Sequence, residues 1–123
     1  MKKILIVDDS PTMLMSLHGM LSRSGLAVEQ ARSGEEAIER LKGGLKPAMV
    51  ITDFNMGAMN GIEVVRQVRK LPGMQFIPVV VLTTESQRDK RDAARSAGAT
   101  GWLVKPVEAD ALLKLVRQLV PGT

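Results

Sequence analysis

Short apolar runs alternate with longer amphipathic stretches along the chain. The apolar runs are too short for buried helices and are rich in β-branched residues, so they predict strands. These strands are expected at 3–7, 26–31, 49–52, 77–82 and 101–104. The run at 79–81 is apolar without alternation, which is typical of a strand that is buried on both faces.

Helical patterns fill the intervals between these runs. They predict helices at 11–23, 34–42, 62–70, 87–97 and 109–119. Ser10 and Ser33 are placed to cap the first two helices, and Glu36 stands three residues after Ser33, as in a capping box. Five strands alternating with five helices predict an α/β fold. We expect one domain over residues 1–123, with a parallel sheet covered by helices on both faces.

Composition narrows the classes of function. The chain has no Cys and a single His, which excludes thiolate chemistry and disfavours His-based metal sites. Aromatic residues make up 2% of the 123 residues, too few to favour stacking on bases or on a flavin ring. A net charge of +4 is not a nucleic-acid signature, and the five units leave no helix-turn-helix, so DNA binding is not expected. No apolar run approaches the roughly 20 residues that cross a bilayer, so we expect a cytoplasmic location without membrane insertion.

Polar residues follow four of the predicted strands, at the edge where open parallel sheets bind ligands. They are Asp8 and Asp9, Asp53, Thr83 and Thr84, and Lys105. Carboxylates this close together repel one another, and a divalent cation relieves the repulsion. All-oxygen ligands favour a hard ion such as Mg²⁺, which prefers a few carboxylates together with phosphate oxygens.

The remaining residues of this edge suit a phosphoryl group. Lys105 offers a point charge, and Thr83 offers a hydroxyl donor. The first strand is not followed by a nucleotide-binding glycine loop, so the phosphoryl group is expected to become attached to the protein itself. Carboxylates can act as such nucleophiles. Asp53 is the natural acceptor, because it ends the central strand between Asp9 and Lys105.

Four motifs carry a resemblance to a known family. They are ILIVDDS at 4–10, VITDFNM at 50–56, VLTTE at 81–85 and Lys105-Pro106. Together and in this order, they resemble response-regulator receiver domains, specifically the single-domain chemotaxis type, over essentially the whole chain. The resemblance implies a flavodoxin-like sheet with strand order 2-1-3-4-5 and no output domain.

The resemblance also implies roles for the matching positions. Asp53 is then the phosphoacceptor, with Thr83 and Lys105 contacting the phosphoryl group. Mg²⁺ is held by Asp53, by Asp9 directly, by Asp8 mostly through water and by the backbone carbonyl of Asn55. The Lys105-Pro106 bond is expected to be cis.

Further positions match residues that switch or tune the family. Trp102 stands where the family has its aromatic switch residue, and a buried indole needs a hydrogen-bond partner. Asn55 and Glu85 match positions that tune hydrolysis of the phosphoryl group. Thr84 replaces a residue that is often Ala, and Pro106 follows the phosphoryl-binding lysine.

The implied function is signal transduction without enzymatic turnover of a separate substrate. A histidine kinase donates the phosphoryl group, and the outer face of the fourth helix, fifth strand and fifth helix then changes shape for a target such as a flagellar motor switch. Arg88, Arg91 and Arg95 recur at helical spacing on the fourth helix, forming either a solvated face or a docking face for an acidic partner. A monomer or a weak dimer is expected.

Several alternatives remain open at this point. A phosphate sink or shuttle uses the same acceptor chemistry. A flavodoxin-type electron carrier shares the fold, but the first loop lacks a Ser/Thr-rich phosphate cradle. A Mg²⁺-dependent phosphatase also uses an Asp nucleophile, but Asp8 and Asp9 are adjacent rather than spaced as D-x-D.

Overall fold

A central parallel sheet organises the chain in the computed structural model, which describes residues 2–84 and 88–122, with side chains undescribed for 88–90. The strands of this described part are β1 (Lys3–Val7), β2 (Ala27–Ala31), β3 (Met49–Asp53), β4 (Val79–Thr83) and β5 (Gly101–Val104). The helices are α1 (Pro11–Ser22), α2 (Gly34–Lys42), α3 (Gly61–Lys70), α4 (Arg88–Ala97) and α5 (Ala109–Leu119). The strand order is β2-β1-β3-β4-β5, with every neighbouring pair parallel, as predicted.

The strand register aligns the carboxyl ends of the strands. Val7 pairs with Thr52, Asp53 pairs with Leu82, and Thr83 pairs with Val104. The residues that follow β1, β3, β4 and β5 therefore emerge side by side at one edge of the sheet, which is the property that brings the candidate site together.

Two apolar layers hold the helices on the sheet. One face of the sheet packs against α2, α3 and α4, through residues such as Ile38, Val65 and Ala94. The other face packs against α1 and α5, through residues such as Leu17 and Leu112. Every residue of β3 and β4 is buried, in agreement with the unbroken apolar run at 79–81. No helix in the described ranges is both long and apolar enough to span a bilayer.

Local capping signals are confirmed with one difference in detail. The hydroxyl of Ser10 accepts a hydrogen bond from Met13 N, and the hydroxyl of Ser33 accepts one from Glu36 N. The Glu36 carboxylate, however, accepts from Arg32 N, one residue before the position expected for a capping box. The carboxylate therefore ties the end of β2, rather than the cap residue, to the first turn of α2.

Most element boundaries match the predicted ones, and the others differ by one or two residues. β4 begins at Val79 rather than at 77, because Pro78 has no N–H for the strand ladder, although its carbonyl accepts from Val50 N. β3 and β4 each extend one residue further, which places Asp53 and Thr83 within strands. The predicted first residue of the fourth helix, Gln87, lies outside the described residues.

Arg69 ties two connections together at the end of α3. Its guanidinium donates to the carbonyls of Gly98, Met74 and Ile77 and to the hydroxyl of Thr100, at 2.7–3.2 Å. Burial lowers the pKa of Arg69 from its usual value. This residue fixes the C-terminal end of α4 against α3, a role that the sequence analysis missed.

Candidate functional site

Three carboxylates meet where β1 and β3 end. One oxygen each from Asp8, Asp9 and Asp53 lies within 4.8 Å of the others. Asp8 and Asp53 are buried, with 1% and 5% of their surface exposed, whereas Asp9 is exposed. β1 and β3 are hydrogen-bonded neighbours, so the register of the sheet produces the convergence predicted from the sequence.

A lysine from the end of β5 reaches into this cluster. Lys105 Nζ lies 2.8 Å from Asp53 Oδ1 and 3.8 Å from Asp8 Oδ2. The backbone N–H of Lys105 donates to the carbonyl of Thr83 at 2.7 Å, so the end of β5 is held beside the end of β4. The following bond to Pro106 is cis, as the resemblance implies.

The carboxylate of Asp8 lies in an unfavourable electrostatic environment. Its Oδ1 accepts a hydrogen bond from Ser10 N at 2.9 Å, but its buried Oδ2 has no hydrogen-bond partner among the described residues. Burial raises the pKa of Asp8; Asp53 and Asp9 raise it further, while the Ser10 N–H and Lys105 oppose the rise. One ammonium group facing three carboxylates leaves an excess of negative charge. An oxygen-only donor set with that excess fits a hard divalent cation such as Mg²⁺.

The remaining predicted residues line the same edge. Thr83 is buried at the end of β4, and Thr84 follows it with an exposed side chain. Asn55 is exposed, two residues beyond Asp53. Glu85 lies outside the described residues, so its predicted role stays a prediction.

The loop after Asp53 folds back closely on the strand. Gly61 N donates to the carbonyl of Phe54 at 2.8 Å, and a Cβ at Gly61 would lie only 2.6 Å from the carbonyl oxygen of Asp53. Only glycine fits so near the backbone without displacing it. The role of Gly61 was not predicted from the sequence, although its position directly after the Asn60 helix cap marks the beginning of α3.

Trp102 packs inward from β5 and contacts Phe54, the residue after Asp53. Its ring meets that of Phe54 edge-on, with centroids 6.5 Å apart and an interplanar angle of 66°. Its Nε1 is buried and has no hydrogen-bond partner among the described residues. The aromatic pair links Trp102 to the loop after Asp53, a contact that was not predicted from the sequence.

A cleft joins Trp102 to the predicted partner face. It has a volume of about 300 Å³ and is lined by Arg91, Arg95 and Thr100 together with Trp102. Arg91 and Arg95 are exposed on α4, whereas the side chain of Arg88 is not among those described. The structure thus places two of the three predicted arginines beside the indole.

Comparisons with known proteins agree with this geometry. The family model described as "Response regulator receiver domain" matches residues 4–117. Protein PilH of Pseudomonas aeruginosa is 36% identical over 99% of this chain and 100% of its own length. Chemotaxis protein CheY1 of Helicobacter pylori is 38% identical over 98% of each chain. The structure of chemotaxis protein CheY4 of Vibrio cholerae is 37% identical, covers 97% of this chain and 98% of its own, and superposes with a TM-score of 0.92. The chain therefore belongs to the response regulator receiver domain family.

Proposed function

We propose that this protein is a two-component response regulator that accepts a phosphoryl group from a histidine kinase on Asp53. The observation that carries the proposal is the position of Lys105 Nζ, 2.8 Å from Asp53 Oδ1 at the edge of a three-carboxylate cluster. A lysine in this position offsets the charge that develops when a phosphoryl group arrives beside carboxylates.

The proposed reaction needs only groups that this edge provides and a phosphodonor. A carboxylate oxygen of Asp53 attacks phosphorus, the phosphorus–nitrogen bond to the kinase imidazole breaks, and an acyl phosphate forms. The ammonium of Lys105 stabilises the phosphoryl oxygens, and the hydroxyl of Thr83 donates to them. Water later hydrolyses the acyl phosphate. We propose these two covalent reactions, phosphorylation and hydrolysis, and no turnover of a separate substrate.

Asp8, Asp9, Asp53 and the backbone carbonyl of Asn55 are the proposed ligands of Mg²⁺. When bound, Mg²⁺ supplies positive charge that neutralises the carboxylates and the phosphoryl oxygens. The buried Oδ2 of Asp8 supports this assignment, because it accepts no hydrogen bond among the described residues and only Lys105 Nζ, at 3.8 Å, offsets the cost of its burial there.

The proposed output is a change in the face formed by α4, β5 and α5. Thr83 is joined to Lys105 through the backbone, and Trp102 packs against Phe54 next to the acceptor. A shift at the phosphoryl group therefore reaches β5 by two direct contacts. We propose that the cleft beside Trp102 receives an acidic segment of a target protein, with Arg91 and Arg95 supplying the charge.

We further propose a role in chemotaxis or motility control, in the cytoplasm, as a monomer or weak dimer. Two similar proteins, the chemotaxis proteins of Helicobacter pylori and Vibrio cholerae described above, support this proposal. A flagellar motor switch is a target of the proposed kind, and a chemotaxis-type histidine kinase is the proposed donor.

The first experiment follows the fluorescence of Trp102, the only Trp in the chain. Mg²⁺ is titrated first and acetyl phosphate is added next, with Asp53→Ala as the test variant and the exposed Asp92→Asn as a matched control. We expect a Mg²⁺-dependent change and then a second change that is absent in Asp53→Ala but present in the control. Mass spectrometry that finds no phosphorylated protein at saturating Mg²⁺ would refute the acceptor chemistry.

The partner face is tested separately. Charge reversal in an Arg91→Glu/Arg95→Glu variant is expected to leave phosphorylation of Asp53 intact and to weaken binding to the phosphorylation-dependent target. The control reverses Arg66, an exposed residue of α3 away from the cleft. Equal target affinity for the wild type and the double variant would refute the docking assignment alone.

A further inference from the structure

The edge of the sheet opposite the carboxylates is basic. The connections that enter the strands are residues 23–26, 43–48, 71–78 and 98–100, and none of them contains Asp or Glu. Seven exposed bases lie on these connections, at the ends of α2 and α3 that lead into them, at the end of α5, or at and just before the start of β1, and we call this group the basic edge. Its members are Lys2, Lys3, Arg23, Lys42, Lys46, Lys70 and Arg117.

Backbone contacts bring the segments of the basic edge together. Ala27 N donates to the carbonyl of Lys2 at 2.9 Å, and Ala48 N donates to that of Lys3 at 2.8 Å. Lys2 and Lys3 thus lie between the loop that enters β2 and the loop that enters β3. Lys2, Lys3 and Lys46 line one open cleft of about 430 Å³. Three ammonium groups from two separate segments therefore surround a single concavity.

An exposed aromatic side chain lies at the same edge. Phe76 is 95% exposed, the highest value among the large hydrophobic residues that the structure describes. It stands two residues before Pro78, whose carbonyl accepts from Val50 N at the entrance of β3. Leaving a whole phenyl ring in water forgoes the stabilisation that its burial would supply.

Stabilisation of helix ends does not account for this arrangement. Lys42, Lys70 and Arg117 lie in the last turns of their helices, where positive charge interacts favourably with the helix dipole. Lys2 and Lys46 lie outside helices and gain nothing from a helix dipole. The exposed phenyl ring of Phe76 carries no charge, so interaction with a helix dipole does not explain it either.

We propose that the basic edge docks on an anionic phospholipid surface, with Phe76 entering the headgroup region. Bases on several separate segments suit a broad anionic layer better than a single acidic peptide, which would occupy one groove. Lysines near such a surface are attracted without specific geometry, and an aromatic ring adds apolar contact at the interface. The carboxylate site, at the opposite end of the strands, then faces away from the lipid. Docking is independent of the proposed phosphorylation.

Vesicle binding of the full chain tests the proposal. The probes are phosphatidylcholine vesicles alone and the same vesicles with about one third phosphatidylglycerol, at low ionic strength. Lys3→Gln/Lys46→Gln is compared with Arg32→Gln/Lys114→Gln, which has the same net charge but alters exposed bases outside the basic edge. We expect wild-type binding to the anionic vesicles only, and a loss of about 30-fold for the first variant, about five-fold for each lysine.

Three further readouts complete the test. Binding is expected to weaken in high salt, to fall again in Phe76→Ser, and to be unchanged in Asp53→Ala. Equal losses in the two double variants would mean that net charge alone drives binding and would overturn the assignment. Absence of binding to anionic vesicles, together with binding to soluble polyglutamate, would overturn it in favour of an acidic protein partner.

Discussion

Replacing Asp8 by Asn is expected to stabilise the metal-free protein. Asp8 is buried, its Oδ1 accepts one hydrogen bond from Ser10 N, and its Oδ2 has no hydrogen-bond partner among the described residues. The substitution keeps the shape of the side chain and the acceptor for Ser10, and it removes one negative charge from the cluster.

The expected change in the free energy of unfolding follows from three contributions. At an effective dielectric constant of about 20, Asp53 repels Asp8 by at least about 3.5 kcal/mol at their limit of 4.8 Å. Lys105 attracts Asp8 by about 4.4 kcal/mol at 3.8 Å, so these two terms nearly cancel. The remaining term is the desolvation of an unsatisfied buried oxygen, about 1–3 kcal/mol. Because the new amide N–H groups find acceptors in the neighbouring carboxylates, we expect a net gain of about 1–2 kcal/mol.

Thermal unfolding in EDTA measures the stability of the metal-free protein, and thermal unfolding in saturating Mg²⁺ measures the stabilisation that the cation adds. Without metal, the gain corresponds to a rise in Tm of about 4–8 °C for a chain of this size. If Mg²⁺ binds as proposed, we expect it to stabilise the folded wild type by mass action and to stabilise Asp8→Asn less. The exposed Asp92→Asn variant serves as the control and should change stability by less than about 0.5 kcal/mol.

Two results would refute this reasoning. A metal-free Asp8→Asn protein that is less stable than the wild type would mean that attraction to Lys105 and the bond from Ser10 outweigh desolvation. An equal Mg²⁺-dependent rise in Tm for both proteins would mean that Asp8 has no part in holding the cation.

Three other predictions concern stability and the site. Because burial raises the pKa of Asp8 above its ordinary 3.8, the folded chain retains that proton where the unfolded chain has lost it. The free energy of unfolding of the metal-free protein, measured by urea denaturation, should therefore fall as the pH rises from the ordinary pKa of an Asp to the raised pKa of Asp8. The fall should be absent in Asp8→Asn, and a rise would contradict the prediction. Arg69→Met leaves three carbonyls without their donor and should lower the free energy of unfolding by about 2–4 kcal/mol, measured by urea denaturation followed by circular dichroism. Arg66→Met should lower it by less than about 0.5 kcal/mol. Gly61→Ala places a methyl group against the carbonyl of Asp53 and should cost about 1–3 kcal/mol and slow phosphorylation by acetyl phosphate; unchanged values of both would show that the loop relaxes freely.

The architecture was predictable because local signals agree with one another along the chain. Serine caps mark the first two helices, and glycines follow the helices along the chain. The largest error falls at the beginning of β4, where the hydrogen bonds between strands set the boundary. Pro78 delays the beginning of β4, and the pairing of Thr83 with Val104 carries that strand beyond its apolar run.

The cluster of acidic residues was predictable from topology alone, whereas individual side-chain contacts were not. Arg66 and Arg69 look alike in the sequence, three residues apart on the same helix. The packing of α3 against the loop at Gly98 makes Arg69 the donor of five hydrogen bonds, whereas Arg66 stays exposed. The edge-on contact of Phe54 with Trp102 likewise depends on the distance between β3 and β5, which no local pattern encodes.

The backbone hydrogen bond from Lys105 to Thr83 has a consequence for how this site can vary. The ammonium and the hydroxyl proposed to contact the phosphoryl group are carried by residues that one peptide contact holds in register. A change that shifts either strand end alters the spacing of both groups together. Double-mutant cycles at the two positions are therefore expected to show coupling beyond the sum of the single effects. We therefore expect variation in the lifetime of the proposed phosphorylated state to arise more readily at neighbouring positions such as Thr84 than at either member of this pair.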